Sequence, residues 1–160
     1  MNRTNTLKLF FEDYRARLNK LLDQVDINEL EKVIDIMVKT FKSGNTLYVC
    51  GNGGSAATAS HIQADFSFFV RYFTKFRPKV RALTDNIPMI TAIGNDTTFD
   101  DIFTEQLKGH FQKGDAIICI SASGNSENVV RAAQYANEHG GTSIGFIGFT
   151  GGKLKEVCSC

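Results

Sequence analysis

The sequence predicts an α/β fold, in which a doubly wound parallel sheet carries helices on both faces. Short β-rich apolar runs alternate along the chain with longer segments of helical periodicity, as in proteins built from strand–helix–strand units. The run Ala116 to Ile120 is apolar at every position, which is typical of a parallel strand buried on both faces. Glycine-containing turns follow the runs and open into the predicted helices, as at Gly51 to Gly54.

The first 44 residues predict two helices that precede any strand. The first has apolar residues at steps of three and four: Leu7, Phe10, Phe11, Tyr14, Leu18, Leu21, Leu22 and Val25. Asp26 or Asn28 caps the second helix and Gly44 ends it, and its stripe is Ile27, Leu30, Val33, Ile34, Met37, Val38 and Phe41. Because apolar stripes of this size need a covering surface, we expect a homo-oligomer.

The α/β core is expected over residues 45–160, behind a helical extension of residues 1–44. Its elements are predicted in chain order as a strand at Thr46–Cys50, a helix from Ser55 to before Pro78, a strand at Val80–Leu83, a helix from Asp85 to Asp96, a helix at Phe99–Phe111, a strand at Ala116–Ile120, a helix from Glu127 to His139, a strand within Thr142–Phe149 and a helix from Lys153. Because the chain stops one turn into that helix, we expect that the natural protein continues and that this core is truncated.

Composition narrows the class of protein. A chain of 160 residues with 42% hydrophobic content buries one sizeable core, so a single domain is expected. The charge of +1, from 18 basic and 17 acidic residues, does not indicate a nucleic-acid partner. The apolar runs are too short to span a bilayer, so we expect a cytoplasmic protein without membrane contact. Cys50 and Cys119 lie in predicted strands and favour buried thiols over disulfides.

Two strand-to-helix loops indicate an anion site. Gly51–Ser55 and Ser121–Ser126 follow predicted strands, and ligands bind at the carboxyl ends of parallel strands. Ser55 is predicted as a helix N-cap, where backbone N–H groups and the helix dipole attract anions. Neither loop contains lysine or arginine, which favours a phosphate that is held over one that is transferred. The alternative is that the serines only form turns and cap helices.

A dinucleotide-binding loop is a further alternative. Residues 51–56 satisfy the pattern G-x-G-x-x-[GA], but that fingerprint also needs an acidic residue about 20 positions later. The nearest acidic candidate after the second strand is Asp85, well beyond that spacing. The pattern therefore matches only in part.

His61 and Asp65 are four residues apart and so share one face of the helix that follows the first loop. An imidazole and a carboxylate near a bound phosphate suit proton transfer on a carbon chain or half of a metal site. The alternative is a solvated pair that stabilises the helix by a few tenths of a kcal/mol, about 0.3.

The segments GNGGSAATASH, AIGND and SASGNS-ENV, in this order, resemble the SIS (sugar isomerase) domain family. Within it the resemblance is closest to the phosphoheptose isomerases, which interconvert sedoheptulose 7-phosphate and an aldoheptose 7-phosphate without an organic cofactor. The resemblance implies a flavodoxin- or Rossmann-like sheet, a phosphosugar substrate and usually a tetramer. It assigns phosphate binding to Ser55, Ser121, Ser123 and Ser126, the lining of that site to Asn52, Gly53, Gly54 and Ala122, and sugar hydroxyls to Asn95 and Asp96.

The same resemblance places His61 and Asp65 in a metal and catalytic cluster, with Zn²⁺ as the expected ion. The acid would move a proton between C1 and C2 through an enediol. The chain departs from the family at Asp65, where Glu is usual, and the Gln and His of a C-terminal helix have no counterpart before Cys160. These departures keep open a non-catalytic phosphosugar-binding or regulatory SIS module.

Overall fold

The computed structural model describes residues 3–75 and 77–160, and the chain divides into a unit up to Lys32 and a unit of Val33–Cys160. The first unit contains α1 (Arg3–Asp23) and the start of α2 (Ile27–Lys42), so both predicted N-terminal helices are confirmed. Asp26 is the cap of α2, because its Oδ1 accepts the backbone N–H of Asn28 at 2.9 Å and of Glu29 at 3.4 Å. No helix in the part of the chain that the structure describes has the length and apolarity needed to cross a bilayer.

The apolar stripe of α1 is exposed along its whole length. Its large side chains are between 42% and 67% accessible to solvent, from Leu18 at the lower end to Leu7 and Phe10 at the upper. A soluble monomer seldom exposes so large an apolar surface. The exposure of this stripe is therefore consistent with the homo-oligomer expected from the sequence.

The second unit contains the predicted alternation of strands and helices. Its elements after α2 are β1 (Thr46–Gly51), α3 (Gly54–Phe68), α4 (Val70–Phe73), β2 (Lys79–Ala82), α5 (Ile87–Asp96), a 3₁₀ turn (Phe99–Asp101), α6 (Thr104–Lys108), β3 (Ala116–Ser121), α7 (Glu127–Glu138), β4 (Thr142–Ile147) and α8 (Gly152–Val157). Two predicted helices are shorter than expected. The helix after the first loop is interrupted at Phe69, and the helix predicted over Phe99–Phe111 is a 3₁₀ turn followed by the five-residue α6.

The four strands form a parallel sheet in the order β2-β1-β3-β4, which confirms the predicted fold class. Alternate residues of each strand face opposite sides, and both sides are buried. Tyr48 and Cys119 pack with α6, α7 and α8, whereas Leu47 and Ile118 pack with α3 and the second half of α2. The chain runs from β1 to β2 on one side and to β3 on the other, so the carboxyl ends of β1 and β3 flank the switch point of the sheet.

Candidate functional site

A cavity of about 230 Å³ lies at the switch point, where the loops after β1 and β3 meet. The two loops converge because β1 and β3 are hydrogen-bonded neighbours, with Gly51 opposite Ile120 in register. The structure therefore brings together six of the eight residues assigned to the phosphate or to the lining of its site. The residues that line the cavity are Asn52, Ser55, Ile120, Ser121, Ala122, Ser123, Ser126 and Phe149.

Ser55 enters the cavity by a different local structure from the predicted one. The N-cap of α3 is Gly53, which has a φ of 56°, and Ser55 lies inside the first turn. The prediction of a Ser55 N-cap was wrong because glycine adopts this positive φ and turns the chain into the helix two residues earlier. Ser55 lines the cavity at a helix start that favours anions.

The serines of the second loop also stabilise the loop itself. Ser121 Oγ accepts the backbone N–H of Gly124 at 3.1 Å, and Ser123 Oγ accepts that of Asn125 at 3.2 Å. Ser121 Oγ and Ser126 Oγ are 3.5 Å apart. A hydroxyl that accepts one backbone bond still has its own O–H to donate. Turn formation and anion binding, which were alternatives from the sequence, are thus compatible at these two serines.

Among the described residues that line the cavity, none carries a formal charge. At the adjoining start of α8, the Lys153 backbone N–H donates to Asn125 Oδ1 at 3.1 Å. The Lys153 ammonium contacts the Glu127 carboxylate at 3.2 Å, and that carboxylate also contacts Arg131 at 3.3 Å. Hydrogen bonds from Lys153 and Arg131 hold the pKa of Glu127 below its ordinary value. The charged side chains beside the cavity therefore pair with one another, and the donors of the cavity lining are neutral.

His61 and Asp65 form a pair on α3, with His61 Nε2 3.3 Å from Asp65 Oδ2. Their side chains are 77% and 44% accessible, and neither is part of the cavity lining. At a rise of 1.5 Å per residue, Asp65 lies about 15 Å along the helix from Ser55. The His61–Asp65 pair therefore lies further along α3 than the residue of this helix that lines the cavity.

The remaining predicted residues lie beside the cavity lining or apart from it. Gly53 and Gly54 form the turn into α3 and are exposed. Asn95 and Asp96 are the last two residues of α5 and are exposed, with Asn95 Nδ2 donating to Asp96 Oδ1 at 2.8 Å. The structure does not place these two side chains in the cavity lining.

Asp85, the acidic residue nearest to a dinucleotide fingerprint, is engaged by its neighbours. Its carboxylate accepts a hydrogen bond from the Ser60 hydroxyl and another from Gln63 Nε2, the latter at 2.8 Å. Both donors lie on α3, so this carboxylate ties α3 to the end of β2. That local role gives no support to the dinucleotide alternative.

Two residues at the site were missed from the sequence. Asn128 Nδ2 and Oδ1 pair with the Asn52 side chain, and Phe149 lines the cavity from the loop after β4 with a φ of 46°. One sequence signal could have identified Asn128. It is a polar residue at the four-residue spacing of the buried Ala132 and Ala136 of α7. Phe149 has no such signal, since its position depends on a backbone conformation that non-glycine residues seldom adopt.

Comparison with known proteins places this architecture in a family. The SIS domain family matches residues 10–148. The phosphoheptose isomerase of Clostridium acetobutylicum is 41% identical over 143 residues, covering 89% of this chain and 72% of that protein. The phosphoheptose isomerase of Aliarcobacter butzleri is 46% identical over 131 residues, covering 81% and 68%. The solved structure of phosphoheptose isomerase from Neisseria gonorrhoeae superposes with a TM-score of 0.84 at 30% identity, covering 98% of this chain and 80% of that one.

Proposed function

Because the chain belongs to the SIS domain family and, within it, to the phosphoheptose isomerases, we propose that it interconverts sedoheptulose 7-phosphate and D-glycero-D-manno-heptose 7-phosphate. The observation that carries the proposal is the convergence of the two serine loops on one cavity at the switch point. Open parallel sheets bind their ligands at this point. The proposal treats residues 1–160 as one SIS domain with an N-terminal helical extension.

The cavity suits a phosphate that stays on its sugar. Ser55, Ser121, Ser123 and Ser126 offer hydroxyl donors, and the start of α3 adds a positive dipole end. Asn52 and Ala122 line the same cavity, and Gly53 and Gly54, in the turn beside it, are assigned to the surroundings of the phosphate. Transfer of the phosphate would need cationic groups to stabilise the developing charge. The neutral donor set instead supports binding and orientation.

The position of Asp65 on α3 requires the carbonyl end of the substrate to lie far from its phosphate. A phosphate beside Ser55 leaves about 15 Å along α3 before Asp65 is reached. A seven-carbon chain that is phosphorylated at its far end directs its carbonyl end away from the cavity. Asp is one methylene shorter than the usual Glu, so the carbonyl end of the substrate must approach α3 more closely for Asp65 to reach it. Asn95 and Asp96, at the end of α5, are assigned to the sugar hydroxyls.

The proposed reaction is a proton transfer between adjacent carbons. The Asp65 carboxylate removes a proton from C1 of the ketose, and the electron pair forms the C1=C2 bond of an enediol as the C2 carbonyl oxygen is protonated. Asp65 then returns the proton to C2, while the C1 hydroxyl loses its proton and becomes the aldehyde. His61, 3.3 Å from Asp65, orients the carboxylate and is the proton carrier for the oxygens.

Zinc at His61 and Asp65 is not supported by one chain alone. Zinc sites in proteins have three or four protein ligands, and these two residues supply only two. No group of three or more His, Cys, Asp or Glu side chains suited to a metal occurs within residues 3–75 and 77–160. The proton-transfer steps above are written only for the side chains of His61 and Asp65. Metal analysis of the purified protein tests the expectation of zinc directly.

A homo-oligomer, a tetramer or a dimer, is part of the proposal. The apolar stripe of α1, with Phe10 67% exposed and Phe11 62% exposed, supports it. Analytical ultracentrifugation of the parent protein and of the Phe10→Glu/Phe11→Glu variant tests it. A monomeric parent at micromolar concentration would contradict this part of the proposal.

The decisive experiment follows deuterium incorporation from D₂O into C1 or C2 of sedoheptulose 7-phosphate by NMR. We expect exchange and aldose formation with the parent protein, and loss of both with Asp65→Asn while phosphosugar binding is kept. Ser55→Ala with Ser123→Ala should raise KM instead. The matched control is Asp35→Asn, which changes an exposed helical aspartate of α2 and should keep parent activity.

Two outcomes would contradict the proposal. If Asp65→Asn exchanges deuterium at the parent rate, Asp65 does not transfer the proton. If the parent protein binds the sugar phosphate but exchanges no deuterium, the chain is a phosphosugar-binding module. The exposure of His61 and its separation from the cavity are the observations that favour that second function.

A further inference from the structure

The two loops of the cavity are joined by a reciprocal pair of amides. Asn52 Nδ2 donates to Asn128 Oδ1 at 2.8 Å, and Asn128 Nδ2 donates back to Asn52 Oδ1 at 3.1 Å. Asn52 belongs to the loop after β1, and Asn128 lies in the first turn of α7, directly after the serine loop. The pair is therefore a side-chain bridge between the loop after β1 and the start of α7, next to the serine loop, and it is separate from the β1–β3 ladder.

The two partners have different surroundings. Asn52 is half-buried and lines the cavity, whereas Asn128 is 2% exposed and does not line it. Asn128 is buried in the face of α7 that also contains Val129 and Ala132. A buried amide that lost its partner would be left unsatisfied, which is costly. The buried partner therefore restricts the rotamer of the partner at the cavity.

The pairing also fixes which amide groups remain for a ligand. An asparagine side chain has two N–H donors and two acceptor lone pairs. The reciprocal pair uses one donor and one lone pair of Asn52, and it determines which way the amide is turned. Asn52 retains one N–H with which it can bind an oxyanion in the cavity.

We infer that Asn128 is a positioning residue for phosphosugar binding, which acts by holding Asn52 and by fixing the separation of the two loops. The inference rests on the proposed function, because it assigns the phosphate to this cavity. Asn128 does not touch the substrate. It affects the affinity for the phosphate end of the substrate. It does not affect the chemical step, since the reacting carbons lie at the other end of the sugar.

Kinetics of Asn128→Ala, Asn52→Ala and the double variant test this role. We expect Asn128→Ala to raise KM for sedoheptulose 7-phosphate about tenfold and to leave kcat within about twofold, because one oriented hydrogen bond is lost at the phosphate. The double variant should raise KM no more than about twofold beyond Asn52→Ala alone, since both changes remove the same bridge. Independent, multiplying effects on KM would overturn the inference.

Asn137→Ala is the matched control. Asn137 is on the same helix, and its amide also makes a network, accepting from the Ser143 hydroxyl at 2.8 Å and donating to the Val157 carbonyl at 2.8 Å. This variant should lower Tm without changing KM. If Asn137→Ala raises KM as much as Asn128→Ala, the effect is general destabilisation, and the positioning role is wrong.

Amide hydrogen exchange gives a readout that does not depend on activity. Asn128→Ala should accelerate exchange about tenfold at the hydrogen-bonded backbone amides of Ser55, Gly124 and Asn125, and Asn137→Ala should not. If the parent protein neither binds nor isomerises the sugar phosphate, the proposed function fails, and exchange in the two loops still decides whether Asn128 holds them. Unchanged exchange in both loops would overturn the inference.

A second variant tests the same pairing if Asn128→Ala fails to fold. Asn128→Asp keeps the size of the side chain and the acceptor for Asn52 Nδ2, but it loses the donor to Asn52 Oδ1 and places a carboxylate at a buried position. We expect exchange at the same amides to accelerate, because two acceptor oxygens then face each other where Asn128 Nδ2 donated to Asn52 Oδ1. Exchange at the parent rate in this variant would contradict the reciprocal pairing.

Discussion

The Asp115 carboxylate holds the start of β1, because its Oδ1 accepts the backbone N–H of Thr46 at 2.8 Å. The same oxygen accepts Asn45 Nδ2 at 3.1 Å, and Oδ2 accepts the backbone N–H of Gln112 at 2.8 Å. Asp115 is 3% exposed and directly precedes β3. One side chain thus aligns the amino ends of the two strands whose carboxyl ends carry the serine loops.

Asp115→Ala should lower the free energy of unfolding by about 3 kcal/mol, since it removes a buried carboxylate that accepts three hydrogen bonds. Urea denaturation followed by circular dichroism measures the change. Asp35→Ala, at an exposed position of α2, is the control and should change stability by less than about 0.5 kcal/mol. Equal effects of the two substitutions would show that the Asp115 network contributes no more than a surface residue.

Gly124→Ala should destabilise the second loop severely. Gly124 has a φ of 68°, and a Cβ at this position would lie 1.8 Å from the carbonyl oxygen of Gly151. The backbone would have to move, so we expect a loss of at least about 3 kcal/mol in unfolding free energy. Denaturant unfolding measures the loss.

Gly109→Ala is the control for Gly124→Ala. Gly109 has a φ of −86°, and a Cβ there meets no atom within 4 Å. Alanine should leave stability unchanged or raise it by about 0.5 kcal/mol, since it reduces the freedom of the unfolded chain. A Gly124→Ala variant as stable as Gly109→Ala would contradict the close approach of Gly124 to Gly151.

Acid should weaken the ion pairs around Glu127. Hydrogen bonds from Lys153 and then Arg131 lower the pKa of Glu127 below its ordinary value of 4.5. A lowered folded-state pKa means that this carboxylate stabilises the fold above the unfolded-state pKa, and that the contribution is lost as pH falls through the folded-state pKa. Lys153→Ala should therefore raise the pKa of Glu127 towards 4.5.

Carboxyl ¹³C NMR titration measures the Glu127 pKa directly. Lys155→Ala is the matched control, because Lys155 is an exposed lysine of the same helix, α8. It should leave the Glu127 titration unchanged. The stability difference between the parent and Lys153→Ala should also shrink as the pH falls through the folded-state pKa. A Glu127 that titrates at the same pH in parent and Lys153→Ala would refute the pairing.

Two of the four cysteines should be unreactive in the folded protein. Cys50 and Cys119 are fully buried, with their Sγ atoms 3.9 Å apart across β1 and β3. Hydrogen bonding to Cys119 and burial raise the pKa of the Cys158 thiol, so its reactive thiolate is scarce at neutral pH. Ellman's reagent should modify at most two thiols in the native state and all four in guanidinium.

The Cys158→Ser/Cys160→Ser variant isolates the buried pair. It should show no rapid modification until it is unfolded. Rapid reaction of this variant under native conditions would mean that the sheet opens between β1 and β3.

The fold could be predicted from the sequence because its signals are local. The apolar run Ala116–Ile120 and the glycine turn at Gly51–Gly54 each determine an element within a few residues. Convergence of the loops followed from their shared position at strand ends, and the structure makes β1 and β3 neighbours. The pairing of Asn52 with Asn128 spans 76 residues, so no local pattern could reveal it.

The details that were mispredicted depend on backbone conformation. Ser55 has the residue type of an N-cap, but the positive φ of Gly53 starts α3 earlier and leaves Ser55 in the cavity. The apolar spacing of Phe99, Ile102, Phe103 and Leu107 suggested one helix, and the structure instead buries Ile102 and Phe103 at a turn between a 3₁₀ segment and α6. Periodicity does not distinguish these two arrangements over so few residues.

The segment after α8 changes what the outer edge of β4 presents to other molecules. The backbone N–H of Ser159 donates to the Ser143 carbonyl at 3.0 Å, and that of Gly145 donates to the Cys160 carbonyl at 2.8 Å. At the other border, β2 is only four residues long and includes Lys79 and Arg81. Within the described residues, the paired backbone groups of β4 and the short, cationic β2 leave few free groups to which a strand of another molecule could pair.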